Sequence, residues 1–157
     1  MKTIPLTKGK STIVDNDMFK YLNQWKWCLM SSGNGYAATK YNKKIITMHR
    51  LLIHAPKGME VDHINGNGLD NRICNLRICT RSQNQINKGL QKNNTTGYKG
   101  VSFIKKHRKY RATIRINGKS MYLGEFESAK GAAFAYDNKA KELFGNFAKL
   151  NFVEEPC

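Results

Sequence analysis

The stretch VDHINGNGLDNRICNLR, residues 61–77, limits the fold more than any other part of the chain. It holds two Asp, four Asn, one His and two Gly, with few hydrophobes. A segment that fills so little core has to close a loop between elements packed elsewhere. An Asp-His pair nevertheless stands directly after Met59-Glu60-Val61, where a strand is expected. Beyond the loop, residues of about 73–79 suit a second strand. TRSQNQINK follows, and its Thr80 and Gln83 have the spacing of a capping box. The expected order is strand (about 59–63), polar loop, strand (about 73–79), then a helix starting near Thr80.

Upstream, residues 1 to about 54 read as short strands and turns. KSTIVDND ends a strand in turn residues, SSGNGYAATKY carries the Gly-Asn-Gly of a tight turn, and KKIITMHRLLIHAP is an apolar run stopped by Pro56. Phe19, Tyr21, Trp25 and Trp27 are the expected core of this segment. Downstream, KGLQKNNTTG (88–97) has no periodicity and reads as a linker. Three strands are then expected, Tyr98–Ile104, Tyr110–Ile116 and Lys119–Phe126, the last two joined by the hairpin signal Asn117-Gly118. A helix should follow, capped by Ser128 and Gly145, with Ala132, Ala133, Tyr136, Ala140, Leu143 and Phe144 on one face.

The chain therefore divides into a first module (1–87), a linker (88–97) and a second module (98–153), each near the lower size limit for a stable core. Nothing approaches the apolar length of a membrane span, and the first residues lack the apolar core of a signal peptide. The expected setting is a cytoplasm, with reduced thiols. Cys74 and Cys79 are wrongly spaced for a zinc site, and Cys28 and Cys157 are remote, so neither structural zinc nor a disulfide is expected.

Charge narrows the class of partner. The net charge is +16. After Asp70 the next acid is Glu125, and the 54 residues 71–124 contain 13 Lys or Arg. Such a one-signed field repels itself and is relieved by a polyanion. Here the bases alternate with aromatic and β-branched residues, which favours nucleic acid over a solvated tail or a membrane surface. RNA has less support, because no aromatic stacking motif of the RNA-binding kind is present.

The opening stretch then acquires chemistry. Asp62 supplies a hard oxygen and Asn84, early in the expected helix, a second one through its amide. One or two protein oxygens completed by water and substrate phosphate suit Mg²⁺. His63, with an ordinary pKa near ~6.5, can take a proton from water at neutral pH. A metal, a base and a basic surface together describe phosphodiester hydrolysis.

Asp62-His63, Asn75 in NLR and Asn84 in RSQNQIN resemble the HNH endonuclease motif, and DHINGNGLDNRICNLRICTRSQNQ is similar to phage and intron-encoded HNH homing endonucleases. The resemblance covers residues 45 to 88 well. It implies a ββα-metal fold with His63 as general base, and Asp62 and Asn84 as ligands of Mg²⁺ or Mn²⁺. It further implies that Asn75 hydrogen-bonds around the loop and holds the His63 ring, and that Arg81 contacts a phosphate. The third motif position, often His, is Asn84 here, which argues for a hard ion over Zn²⁺. Asn87 is a rival ligand. His49 and Arg50 stand where the family often has His-Arg, with a packed, satisfied histidine the plainer reading of His49.

Residues 98–153 resemble the Apetala-two, or ethylene-response-factor, DNA-binding domain. The resemblance rests on Tyr98-Lys-Gly-Val101, Ile114-Arg115, Tyr122-Leu-Gly-Glu-Phe126, Ala132-Ala-Phe-Ala-Tyr136-Asp137 and Ala148-Lys-Leu-Asn-Phe152. It implies that one sheet face enters the major groove of DNA, with Lys99, Ser102, Arg111, Thr113, Arg115 and Tyr122 toward the bases. Val101, Phe103, Ala112, Ile114, Met121 and Leu123 would face the helix. Lys105, Lys106, Arg108 and Lys109 would meet phosphates. Ser102, Ser120, Tyr110 and Tyr122 depart from the plant pattern, so the plant target sequence is not implied.

The whole predicts an α+β protein: a β-rich ββα-metal nuclease module, then a three-stranded antiparallel sheet packed on one helix. Its partner would be double-stranded DNA, bound by a monomer or weak dimer with no small-molecule cofactor. Its setting would be a bacterial or phage-infected cell. The competing expectation is a DNA-binding regulator whose nuclease module is inactive.

Overall fold

The computed structural model describes residues 1–30 and 35–152. The chain separates into two compact units, one running to Asn84 and the other starting at Gln85. It is α+β, and the described residues form four small antiparallel sheets, each built from strands consecutive in sequence.

In the first unit β1 (Lys2–Pro5) pairs with β2 (Ser11–Val14), and β3 (Cys28–Met30), β4 (Tyr36–Tyr41) and β5 (Lys44–Thr47) form a three-stranded sheet. Two short helices depart from the strand-and-turn reading of residues 1–54: α1 (Asn16–Leu22) and α2 (Met48–Ile53). Neither reaches two full turns, so local propensity gives little signal. Tertiary burial explains them, since Leu22 and Met48 are fully buried in a core with Ile4, Leu6, Val14, Trp27 and Ala37. The apolar run that ends at Pro56 is thus two elements, and His54, in left-handed geometry at φ +47°, ends the helix. Trp27 is buried and donates its Nε1–H to the Leu22 carbonyl at 2.8 Å. Phe19 and Trp25 pack against the core, whereas Tyr21 is exposed. The Gly-Asn-Gly turn reading falls on residues 31–34 in most part and so lies outside the described residues.

The polar stretch folds as strand, loop, strand and helix. β6 (Glu60–His63) pairs with β7 (Leu76–Cys79), and α3 (Arg81–Ile86) follows. Thr80 and Gln83 form the expected reciprocal cap: the Thr80 N–H donates to Gln83 Oε1 at 2.8 Å, and the Gln83 N–H to Thr80 Oγ1 at 3.2 Å. The second strand starts three residues later than expected, because Ile73–Asn75 is a turn of 3-10 helix.

In the second unit β8 (Val101–Ile104), β9 (Lys109–Ile116) and β10 (Lys119–Phe126) lie in the order β10-β9-β8, covered by α4 (Ala129–Phe144). Ser128 Oγ accepts from the Gly131 N–H at 3.0 Å, and Gly145 follows the last helical residue. Ala132, Ala133 and Ala140, with no exposed surface, let the helix lie close on Val101, Ala112 and Ile114. Leu143, expected on that face, is exposed. The tail is fastened by buried Asp137, which accepts from the backbone N–H groups of Asn151 and Phe152 at 2.9 Å each. Asn151 Oδ1 in turn accepts from the Lys99 N–H at 2.6 Å.

Candidate functional site

His63 ends β6 with its side chain buried. Its Nε2 lies 3.4 Å from Asn71 Oδ1. The ring stacks on Tyr36 at 5.8 Å between centroids and meets the His49 ring edge-on at 5.1 Å. Burial lowers its pKa, against a smaller upward pull from Asn71, Asp62 and Asp70. The ring is therefore a neutral imidazole at physiological pH, able to accept a proton.

The loop behind the ring is held by its own polar side chains. Asn75 Oδ1 accepts from the Asn65 N–H at 3.0 Å, and Asn75 Nδ2 donates to the Asp70 carbonyl at 2.8 Å. Asp70 holds Arg72 through Nε at 2.8 Å and Nη2 at 2.6 Å, and the Arg72 guanidinium keeps its carboxyl below the usual range. Thr12 Oγ1 and the Ile13 backbone tie residues 69–71 to β2, and Asn71 Nδ2 donates to Thr12 Oγ1 at 2.8 Å. Asn75 therefore bonds around the loop as expected, but the residue hydrogen-bonded to the His63 ring is Asn71. Asn75 sits at the turn into β7, where its amide replaces missing backbone partners; Asn71 comes from the loop itself.

Asp62, the neighbour of His63, points to the other side of the strand. It faces Arg77, its cross-strand partner on β7, whose Nε and Nη2 both donate to Oδ2, at 2.8 and 2.6 Å. Both partners are largely buried. Asn84, on α3, donates its amide N–H to Glu60 Oε2 at 2.7 Å. Glu60 and Asn84 line an open cleft with Tyr36, Thr47, His49 and Arg50. Arg50 is tied down by the Met59 carbonyl at 2.9 Å and the Ala55 carbonyl at 3.3 Å. Arg81 is exposed at the start of α3. Asn87 is buried one residue past its end.

Glu60 and Asn84 line one cleft, and Asp62 lies on the same strand as Glu60 but is held by Arg77; a hard divalent cation needs few protein oxygens when water and phosphate complete its shell. Among the described residues no group of three or more His, Cys, Asp or Glu side chains is placed to hold a metal ion. Cys74 is exposed and Cys79 buried, and burial pushes the Cys79 thiol up to about 11.

Two residues of this region escaped the sequence reading, and a third, His49, differs from it. Glu60 carries no signal beyond being a strand acid. Asn71 looks like any loop Asn. His49 was read as satisfied; its Nε2 does meet Thr47 Oγ1 at 3.0 Å, but its buried Nδ1 has no partner among the described residues. Burial, with the charges of His63 and Arg50, drives its pKa down to about 3.

In the second unit the strand register sorts the predicted DNA-facing residues. Ser102 pairs with Arg111, Thr113 with Tyr122 and Arg115 with Ser120, all turned away from the face whose Ala112 and Ile114 meet α4. Lys99 is different. It precedes β8, and its Nζ donates to the carbonyls of Ile86 at 2.5 Å and Lys88 at 2.7 Å. Burial lowers its pKa to about 8. It is an anchor for a chain end where carbonyls lack helical partners, not part of the open sheet face. Phe103 and Met121, expected against the helix, are exposed, Phe103 packing on Tyr110 at 5.0 Å. Strict alternation also hid Glu125. A β-bulge between Tyr122 and Gly124 turns Glu125 onto the same face as Tyr122, opposite Arg111.

An HNH endonuclease family model matches residues 54–86. An uncharacterized HNH endonuclease, L560, of Acanthamoeba polyphaga mimivirus is 33% identical over 153 residues, covering 94% of this chain and 78% of that protein. Protein 3.8 of Escherichia phage T7 is 35% identical over 95 residues, 60% of this chain and 78% of that protein. The C-terminal part is similar to the AP2-like ethylene-responsive transcription factor TOE2 of Arabidopsis thaliana, 41% identical over 56 residues, 36% of this chain and 12% of that protein. No solved structure matches the chain. No helix among the described residues is long and apolar enough to cross a membrane.

Proposed function

The chain belongs to the HNH endonuclease family and carries an Apetala-two-type C-terminal part, and from that premise we propose that it is a metal-dependent, site-specific DNA endonuclease of the homing type. Residues 1–87 cut, 98–153 bind duplex DNA and supply most of the specificity, and 88–97 connect them. The effective concentration gained by tethering offsets weak binding by the nuclease module. One copy has one catalytic site, so the product is a nick. The relatives from a phage and a giant virus support action inside an infected cell.

The observation that carries this reading is the buried His63 ring, held by Asn71, Tyr36 and His49 at the end of β6. As a fixed, neutral imidazole it removes the proton from the attacking water. Asn75 keeps the loop closed and Arg81 meets a phosphate beside the scissile one. Asp62 and Asn84, with Glu60 beside Asn84, are the residues that would hold Mg²⁺ or Mn²⁺. When bound, the ion would stabilise charge on the phosphate and the leaving oxygen.

The competing reading, a DNA-binding regulator with an inactive nuclease, draws on one observation: the Asp62 carboxylate is engaged by Arg77. A supercoiled-plasmid assay separates the two. Wild type should convert plasmid to open circle only with Mg²⁺ or Mn²⁺, and His63→Ala should lower the rate by about 10²–10⁴-fold while still binding DNA. Tight binding without nicking under either metal would leave the regulator standing.

A further inference from the structure

The strands of the second unit, VSFI, KYRATIRI and KSMYLGEF, contain a single acid, Glu125. It stands on the outward face with Arg111, Thr113 and Tyr122, put there by the bulge after Tyr122, where Gly124 adopts φ +133°. On a surface meant for a polyanion a carboxylate repels phosphate and weakens binding overall. Its contacts give it a different use. Glu125 Oε1 accepts from Arg111 Nε at 3.3 Å and Nη2 at 2.9 Å, and Oε2 accepts from His107 Nδ1 at 2.7 Å. The Arg111 guanidinium also lies 5.8 Å from the Tyr122 ring centroid. The carboxylate is thus braced by His107 and in turn fixes the guanidinium between itself and Tyr122.

We propose that Glu125 is the specificity-determining residue of the sheet: it positions Arg111 for one base and penalises duplex that does not offer that base. This rests on the reading of the second module as a DNA binder. A guanidinium has five N–H donors. Two of its nitrogens are turned to Glu125, and the donors left over point in one fixed direction. An unclamped arginine swings to the nearest phosphate and adds affinity without discrimination. A clamped one gains hydrogen bonds only where a guanine presents its O6 and N7 acceptors. At any other base pair the carboxylate's repulsion is not offset, so wrong sequences are disfavoured by a built-in repulsive element.

The test uses the full chain and a random-sequence duplex library. Wild type, Glu125→Gln, Arg111→Ala and the double variant are each taken through rounds of selection, and the enriched sequences are read. Affinity for the wild-type consensus and for unselected duplex is then measured over a salt series. Glu125→Gln keeps the shape and the hydrogen-bond acceptor but removes the charge. It should bind unselected duplex more tightly, with a salt slope steeper by about 0.9 as Arg111 reaches a phosphate. Its preference for consensus over unselected duplex should fall about tenfold, at the base pair where Arg111→Ala also loses preference. In the Arg111→Ala background Glu125→Gln should change the enriched base no further.

If Glu125→Gln enriches the same sequence with an unchanged preference, the proposal fails. Equal weakening on both duplexes with a lowered thermal midpoint overturns it too, since that is what a purely structural cross-strand pair would do. Failure of the wild type to enrich any sequence would instead remove the DNA-binding reading beneath it.

Discussion

Replacing Arg77 by Met leaves the Asp62 carboxylate buried without the two N–H groups that now hold it. Asp62 is 5% exposed and the Arg77 side chain 15%. Removing one partner of a buried pair costs about 3–5 kcal/mol. A unit the size of the first one is stable by about 4–13 kcal/mol. Each kcal/mol moves the midpoint of so small a domain by about 4–8 °C. Arg77→Met should therefore melt about 12–40 °C lower by near-ultraviolet circular dichroism. Asp62→Asn combined with Arg77→Met should recover most of the loss, because the charge is then gone with its partner. Adding Mg²⁺ makes the same experiment report on function. An ion held at tenfold its dissociation constant stabilises by about 1.4 kcal/mol. That gain should appear in Arg77→Met and vanish in the double variant if Asp62 is a ligand. A midpoint for Arg77→Met within a few degrees of wild type would refute the buried-pair reasoning. Equal stabilisation of both variants by Mg²⁺ would refute the ligand role of Asp62.

Gly100→Ala should be among the most damaging single changes in the second unit. At φ +75° a side chain is strained, and the added Cβ would stand 2.1 Å from Tyr136 Cδ2 and 2.7 Å from the Thr113 carbonyl oxygen. Left-handed strain of about 1–2 kcal/mol with overpacking of about 1–3 kcal/mol should lower that unit's stability by about 2–5 kcal/mol, read by denaturant unfolding. Lys99 gives a pH signature. Its folded pKa of about 8 lies below its ordinary value, so between about pH 8 and 10.4 the unfolded chain binds its proton more tightly and this group's contribution to stability rises with pH. Cys79 and Tyr136, whose pKa values burial raises, act in the opposite sense, so the quantity to measure is the difference between wild type and Lys99→Met across that window. On DNA, Lys105→Ala should flatten the salt dependence by about one phosphate contact, whereas Lys99→Ala should not, because its amine is bound to carbonyls.

Legibility from sequence followed the range of the forces involved. The capping box at Thr80, the Asn117-Gly118 hairpin and the α4 caps are local, and each was found where the residues pointed. Helices α1 and α2 were missed because helices this short exist only through the burial of Leu22 and Met48. At the site, the strand-loop-strand frame was readable. The partners were not. Alternation on β6 places Asp62 on the face opposite His63, but only the register opposite β7 brings Arg77 to it. Asn71 and Asn75 are the same residue type in one loop, and their division of labour depends on where the 3-10 turn falls. The bulge in β10 moved Glu125 across the sheet against strict alternation. Lys99 read as a surface base because nothing in sequence marks a carbonyl 13 residues upstream.

Among the described residues every sheet is made of strands that follow one another along the chain. Each can close as soon as its last strand has been synthesised, without waiting for a distant segment, which favours fast folding in the order of translation. A longer reach also matters: β2 bonds forward to Leu69, Asp70 and Asn71. The residues around His63 therefore stay unlocked until that loop has left the ribosome. The surroundings of the His63 ring are thus completed only when Asn71, 59 residues beyond Thr12, has docked on β2.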